Sequence, residues 1–367
     1  PRSMLLVNDG RGGFTDETRR LAPALERVGM VTDAAWSDVD GDGRPDLVVV
    51  GDWMAVTVFR NELTRGGGRL APMAVPGLAG SEGWWNRVVA ADLNGDGRPD
   101  FVLGNLGLNA RLRATAAEPA RLYVKDFDGN GITEQILASY EGGKNYPVPL
   151  RDDLIKAVPS LKARYPSYRS FADATLDDVF PAADLAGAVV REAHTFASAV
   201  ALSDGRGGYA LRPLPAAAQL APVFGILARD VDGDGRADLV LAGNFDGVKP
   251  EIGRLAAGYG LVLRGDGRGA FTPVAPAASG FRASGQTRDL AVVRTAAGPL
   301  VVAARNDDRP LAFRAQTKAA SVARAVVPTP SAARGRDLLA GRRNAPGAPG
   351  PATGARRSLA ALGTTTH

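Results

Sequence analysis

One unit recurs along the chain and constrains its fold more than anything else. An acid-rich loop appears as DVDGDGRPD (Asp38 to Asp46), DLNGDGRPD (Asp92 to Asp100), DFDGNGITE (Asp126 to Glu134) and DVDGDGRAD (Asp230 to Asp238). Each is followed by a short apolar run, LVVVG, FVLGN, QILAS and LVLAG. A second motif, NDGRGGF (Asn8 to Phe14), SDGRGGY (Ser203 to Tyr209) and GDGRGAF (Gly265 to Phe271), lies between short apolar segments. Gly-rich turns between such segments mark β-hairpins, and a repeat of this size points to a propeller or solenoid. The 45 glycines and 25 prolines of the 367 residues favour many short strands over long helices.

The order within a unit is legible around Asp230. A strand at about Phe224–Arg229 leads into the acidic loop, and a second follows at about Asp238–Ala242. A longer connection reaches a third strand, Leu261–Arg264, and the hairpin turn leads to a fourth, Ala270–Val274. Four antiparallel strands make one propeller blade. The expected fold is therefore all-β, a β-propeller with about five four-stranded blades visible: 32–76, 85–115, 120–214, 223–276 and, without an acidic loop, 286–315. Residues 3–16 look like the outer strands of a blade. They either complete the fifth by ring closure or belong to a further blade of a larger propeller. The second blade lacks a clear outer hairpin.

Within each acidic loop carboxylate or amide side chains fall at positions 1, 3, 5 and 9, with Gly at 6 for the sharp turn and the backbone carbonyl of residue 7 as a further oxygen. The candidate ligands are Asp38, Asp40, Asp42, Arg44 and Asp46; Asp92, Asn94, Asp96, Arg98 and Asp100; Asp126, Asp128, Asn130, Ile132 and Glu134; and Asp230, Asp232, Asp234, Arg236 and Asp238. Arg44, Arg98, Ile132 and Arg236 enter only through their carbonyls. An all-oxygen set of hard ligands suits Ca²⁺. An EF-hand is excluded, because its position-12 glutamate is replaced by Val49, Leu103, Leu137 and Leu241, all in apolar runs. With fewer carboxylates than an EF-hand, the expected affinity lies in the weak extracellular range, about 10⁻⁴–10⁻³ M. Asp/Asn/Gly-rich loops also make good turns, but four copies at matching spacing favour metal binding.

These residues resemble the FG-GAP/VCBS repeat family, the propeller repeats also found in integrin α-subunits, with bacterial VCBS proteins of the cartilage-acidic-protein type the nearest in pattern. The resemblance spans about residues 3–315. It implies a Ca²⁺-binding extracellular propeller, secreted or at the cell surface, and no particular enzymatic activity. The fifth unit, TRDLAVVRTAAGPLVVAARN, departs from the family pattern and carries no expected metal.

Antiparallel topology puts the calcium loops on one face of the ring and gathers other residues on the opposite face. These are Asp52, Trp53, Trp84, Trp85, Asn86, Asn105, Asn109, Asn244 and Asp246, with Asn306 and Asp307. Aromatic rings beside amides and carboxylates suit a glycan or a protein ligand; the alternative is that the tryptophans plug the central channel. A helical insertion at about 141–194, in the third blade, either caps this face and docks a partner or buttresses the ring.

Catalysis has little support. The histidines are His194 and the terminal His367, and no nucleophile elbow, phosphate loop or zinc signature is present. RGD at Arg264–Asp266 sits inside the repeated hairpin turn and reads as that turn. The chain is thus expected to be a recognition or adhesion module and not an enzyme, the alternatives being a propeller attached to a polysaccharide-active hydrolase or a structural spacer. It has no cysteine and no apolar run long enough for a membrane span. The net charge of +5 is misleading: from Gln316 onward there are eight Lys/Arg and one acid, so the preceding residues carry 36 bases against 38 acids. Residues 1–316 are the expected propeller, and 317–367 an expected disordered basic tail, read as a solvated terminus and not a nucleic-acid arm. No signal peptide is visible and the chain opens on a hairpin, so other domains of a longer parent chain are expected.

Overall fold

The computed structural model describes residues 2–64, 67–249 and 253–314. The expected tail, 317–367, lies outside them. Strand dominates, in short antiparallel sheets.

An N-terminal hairpin pairs β1 (Leu6–Asn8) with β2 (Phe14–Asp16). A first four-stranded sheet follows, running β3 (Met30–Ser37), β4 (Asp46–Met54), β5 (Thr57–Asn61) and β6 (Leu70–Met73), with a short β7 (Gly83–Trp84) added to the far end of β4. The second sheet begins with β8 (Arg87–Ala91) and β9 (Asp100–Gly104). The chain then leaves it for a separate four-stranded sheet of β10 (Ala120–Lys125), β11 (Glu134–Glu141), β12 (Lys144–Pro147) and β13 (Val189–Ala193), in spatial order β12-β11-β10-β13. It returns as β14 (Ala199–Ser203) and β15 (Tyr209–Pro213), which complete the second sheet in the order β15-β14-β9-β8. The third sheet is β16 (Val223–Arg229), β17 (Asp238–Gly243), β18 (Leu261–Gly265) and β19 (Phe271–Val274). The last is three-stranded: β20 (Thr287–Thr295), β21 (Gly298–Arg305) and β22 (Leu311–Phe313).

This corrects the expected division of blades. Residues 120–214 are not one blade. The hairpin SDGRGGY belongs to the second sheet, whose outer strands seemed to be missing, and 120–193 is an inserted unit between that sheet's second and third strands. The reason is a matched contact. Ser203 N–H donates to the Asp100 carboxylate at 2.7 Å, just as Asn61 N–H donates to Asp46 and Gly265 N–H to Asp238. The helices expected at about 141–194 are short, lie between Arg151 and Leu185, and connect β12 to β13. Among the described residues, 3–16 do not pair with the last sheet either; β22 is its third strand, and β1 pairs only with β2.

The first strands of the four successive sheets stand side by side, β3 against β8, β8 against β16 and β16 against β20. The second strands β4, β9 and β17 are buried on both faces, which explains their unbroken apolar runs. Val48 and Val50 meet Phe101 and Leu103, while Leu47 and Val49 face the other way onto Ala22 and Leu25 of the N-terminal segment. Val102 meets Leu239 and Leu241, and Val240 and Ala242 meet Leu290 and Ala303. With successive side chains pointing to opposite faces, a strand buried on both faces needs every position apolar. The insertion has its own core, in which Tyr123 and Ile136 of its sheet pack on Leu154, Leu161, Leu176 and Phe180 of the helical segment.

Candidate metal sites and the opposite face

Each acidic loop is a tight wrap of backbone around its first aspartate. Asp38 accepts hydrogen bonds from the N–H groups of Gly41, Asp42 and Gly43 at 2.9–3.0 Å. Asp92, Asp126 and Asp230 are held the same way by Gly95 and Gly97, by Gly129, Asn130 and Gly131, and by Gly233 and Gly235. The position-6 glycines, Gly43, Gly97, Gly131 and Gly235, have φ between 79° and 85°, a left-handed conformation that a side chain disfavours. The position-5 side chains of Asp42, Asp96, Asn130 and Asp234 accept from the N–H two residues on, at Arg44, Arg98, Ile132 and Arg236.

The wrap brings carboxylates together. Asp38, Asp40 and Asp42 each place an oxygen within 4.8 Å of the others; so do Asp126, Asp128 and Glu134, and so do Asp230, Asp232 and Asp234. Oxygens on opposite sides of a calcium ion, at 2.3–2.6 Å from it, would lie about 5 Å apart, so these spacings fit Ca²⁺. The second loop, with Asn94 at position 3, forms no such three-carboxylate group among the described residues.

The position-9 aspartates have a further task. Asp46, Asp100 and Asp238 are buried. One carboxylate oxygen of each accepts an N–H inside its own loop, from Val39, Leu93 and Val231, and the other accepts the N–H that ends the third strand of the sheet. Each thus rivets loop to strand. Burial pushes the Asp46 and Asp100 carboxyls above the usual range, against the pull of these N–H donors. Glu134, one methylene longer, accepts from Phe127 N–H and still reaches the cluster of its own loop. The loop-opening aspartates go the other way: N–H donation from Gly131 holds Asp126 low, and donation from Gly235 and Gly233 holds Asp230 low.

Sequence spacing did not reveal the cations over these loops. Arg60 reaches from β5 to Asp40 at 2.7 Å, and Arg264 from β18 to Asp232 at 2.6 Å. Arg44 and Arg236 pair with Asp42 and Asp234. Arg60 and Arg264 share one place, the residue before the strand-ending N–H that holds Asp46 or Asp238. This makes Arg264 an acid-loop partner, and Asp266 accepts from the N–H groups of Arg268 and Ala270 within its turn; both halves of the RGD triplet are engaged in the hairpin.

The opposite face divides. Trp85 is fully buried between the first and second sheets, its indole N–H donating to Ser81 C=O. Asn105 is fully buried, donating to Thr195 C=O and accepting from the N–H groups of Trp84 and Leu106. Asn244 is buried at φ 82°, bonded to Gly258 and Gly285. These three are packing residues with no surface for a ligand. Trp53 and Trp84 stack edge-to-face at 5.0 Å, and Trp84 meets Phe196 at 5.0 Å, at the seam with the insertion. Asp52, Asn86 and Asp246 are partly exposed and Asn109 is exposed. Asp246 pairs with Arg254 at 3.0 Å, and Asn109 donates to Leu220 C=O.

His194 ties the insertion to the first sheet's last connection. Its backbone N–H donates to Glu82 C=O, its Nδ1 lies 2.9 Å from the Glu82 carboxylate, and its Nε2 lies 3.2 Å from Glu192. Burial works against the charged imidazolium, but Glu192, the Gly80 carbonyl and Glu82 outweigh it and raise the His194 pKa above its ordinary value. Both ring nitrogens are engaged, in the manner of a structural clamp.

No helix among the described residues is long and apolar enough to cross a membrane. No curated protein matches the chain. Residues 38–103, from the first acidic loop to the second strand of the second sheet, match the family of FG-GAP-like repeats.

Proposed function

We propose that the chain is an arc of a calcium-binding β-propeller that serves, outside the cell or on its surface, as a recognition or adhesion module for a glycan or protein ligand. The observation that carries the reading is the recurrence of three-carboxylate clusters at one place in the hairpins of separate sheets. The FG-GAP-like match over 38–103 supports it, as does the side-by-side order of β3, β8, β16 and β20. The four sheets are then blades, and the ion stiffens the hairpin between the first two strands of each blade that has a cluster. Ca²⁺ would be held by Asp38, Asp40 and Asp42, by Asp126, Asp128 and Glu134, and by Asp230, Asp232 and Asp234, and would supply charge neutralisation and rigidity. The second loop, with Asp92, Asn94 and Asp96, is the weaker site.

Recognition falls to what stays accessible opposite the loops: Trp53 and Trp84 at the seam, with Asp52, Asn86, Asn109 and Asp246. Calorimetric titration of chelator-stripped protein with Ca²⁺ should give heat at about 10⁻⁴–10⁻³ M and a rise in melting temperature; neither occurring would overturn the metal reading. Glycan-array or pull-down binding lost on Trp53→Ala, in a variant that keeps its melting temperature, would support the recognition face. Binding unchanged by that substitution would move the ligand elsewhere.

A further inference from the structure

We propose that the free edge of β1 is the seat of one more acidic-loop hairpin, supplied by a partner segment of that chemistry. The turn of the β1–β2 hairpin repeats the turns of β14–β15 and β18–β19. Asp9 accepts from Arg11 and Gly13 N–H at 2.7 and 2.9 Å, Asp204 from Arg206 and Gly208 at 2.7 and 3.0 Å, and Asp266 from Arg268 and Ala270 at 2.7 and 3.0 Å. In the two later hairpins the first strand is also paired on its other edge, β14 with β9 and β18 with β17. There the residue before the turn aspartate, Ser203 or Gly265, gives its N–H to the buried Asp100 or Asp238. Asn8 is its counterpart.

The hydrogen-bond phase shows which way that N–H points. Asp9 N–H donates to Gly13 C=O and Glu17 N–H to Leu5 C=O. In an antiparallel pair, bonded positions alternate, so Leu6 and Asn8 direct their N–H groups to the edge away from β2. That edge has no strand on it among the described residues. The side chains agree. Leu6, Val7 and Phe14 are 49%, 41% and 54% exposed, whereas Leu263, Leu202 and Tyr209, their counterparts in the complete sheets, are 0%, 6% and 5% exposed. An apolar edge strand of this kind is a template for strand addition.

The occupant is defined by what fills the same place elsewhere. It is a hairpin whose second strand opens with an aspartate, set to accept the Asn8 N–H, and continues with apolar residues. Leu47, Phe101 and Leu239, each directly after the aspartate, face Phe59, Ala201 and Leu263; Leu6 would face the corresponding residue. The acidic-loop strands β4, β9, β11 and β17 already have β5, β14, β12 and β18 beside them, so none of these four, in this chain or in a second copy, is free to be the occupant.

The chain has no cysteine, so the register can be read by cross-linking. The protein carrying Leu6→Cys, at an exposed position, is mixed in chelator with a synthetic peptide of residues 224–243 carrying Leu239→Cys, with oxidised glutathione present to take up the two electrons and, as two reduced thiols, the two protons. Working without calcium keeps a failure here distinct from a failure of the metal reading. Disulfide formation should be about tenfold faster than with a Val240→Cys peptide, and adding Asp238→Asn to the first peptide should remove the preference, because a charge-assisted hydrogen bond is lost. Equal rates for the two registers, or a Leu6→Cys homodimer as the main product, would overturn the proposal.

Discussion

Arg87, at the start of β8, donates to the Asp289 carboxylate of β20 at 2.8 Å, across 202 residues of chain. Its Nε lies 3.4 Å from Asp33 on β3. Asp33 and Arg87 each stand five residues before the first aspartate of an acidic loop, so one position on successive inner strands converges on a single guanidinium. Burial pushes the Asp33 carboxyl up, and the Val88 N–H and Arg87 pull it back. Gly225, at the same offset in the third sheet, has no side chain, and a Cβ there would lie 2.8 Å from Leu290 and 3.2 Å from the Asp289 backbone. Ion pair and glycine together let the strands approach.

Removing the guanidinium should therefore loosen several sheets at once. Arg87→Ala is expected to cost about 2 kcal/mol, between the values for surface and buried pairs. Urea unfolding of Arg87→Ala, Asp289→Ala and the double variant checks it: strongly non-additive losses are expected, and strictly additive ones would refute the tie.

Asp100→Asn tests the rivet between loop and strand. The amide keeps one acceptor oxygen where the carboxylate serves two N–H groups. A loss of about 2 kcal/mol is expected from one charge-assisted bond and a facing N–H pair, with faster amide hydrogen exchange at Ser203. An unaltered Ser203 exchange rate would contradict the assignment.

Arginine and calcium should compete. Arg60 lies on Asp40 and Arg264 on Asp232, so Arg60→Ala and Arg264→Ala should each tighten Ca²⁺ binding a few-fold, in line with exposed pair energies of about 0.2–1 kcal/mol. Asp40→Ala should remove one site from the calorimetric stoichiometry. Weaker binding in the arginine variants would show that the guanidinium groups organise the loops instead.

The His194 clamp predicts a pH dependence. A histidine whose folded pKa is raised adds stability that is complete below its unfolded value, about 6.5, and disappears as pH rises through the folded value. Between pH 6 and 8 the wild type should lose up to about 1 kcal/mol that His194→Gln does not lose. Parallel melting curves for the two proteins across this range would refute it.

The repeat made much of this visible in advance. Loop spacing indicated the hairpins between first and second strands, and DGRG turns those between third and fourth, because each depends on residues close in sequence. The grouping of hairpins into sheets was not visible. SDGRGGY is as good a partner for the strand after Glu134 as for the strand after Asp100; the long-range ladder of β14 on β9, ended by the Ser203 N–H on Asp100, is what joins it to the second sheet. The face opposite the loops was legible as a set of residues but not as a surface, since GWWN does not tell that Trp85 turns into the inter-sheet core while Trp84 turns to Phe196. Arg60 and Arg264 went unnoticed because a lone arginine one strand away carries no spacing signal.

The insertion has a kinetic side. Leu103 and Ala199 must meet before the second sheet can exist, and a loose chain between them would have to close a long gap against its own entropy. The intervening unit shortens that search: it has a private core, and β10 and β13 pair so that Ala120 lies opposite Ala193. Once it collapses, its two ends emerge together and the long gap becomes a short one. Substitutions that hollow out this private core, such as Leu154→Ala, should then slow assembly of the second sheet although they lie outside it, which stopped-flow refolding followed by Trp85 fluorescence would register.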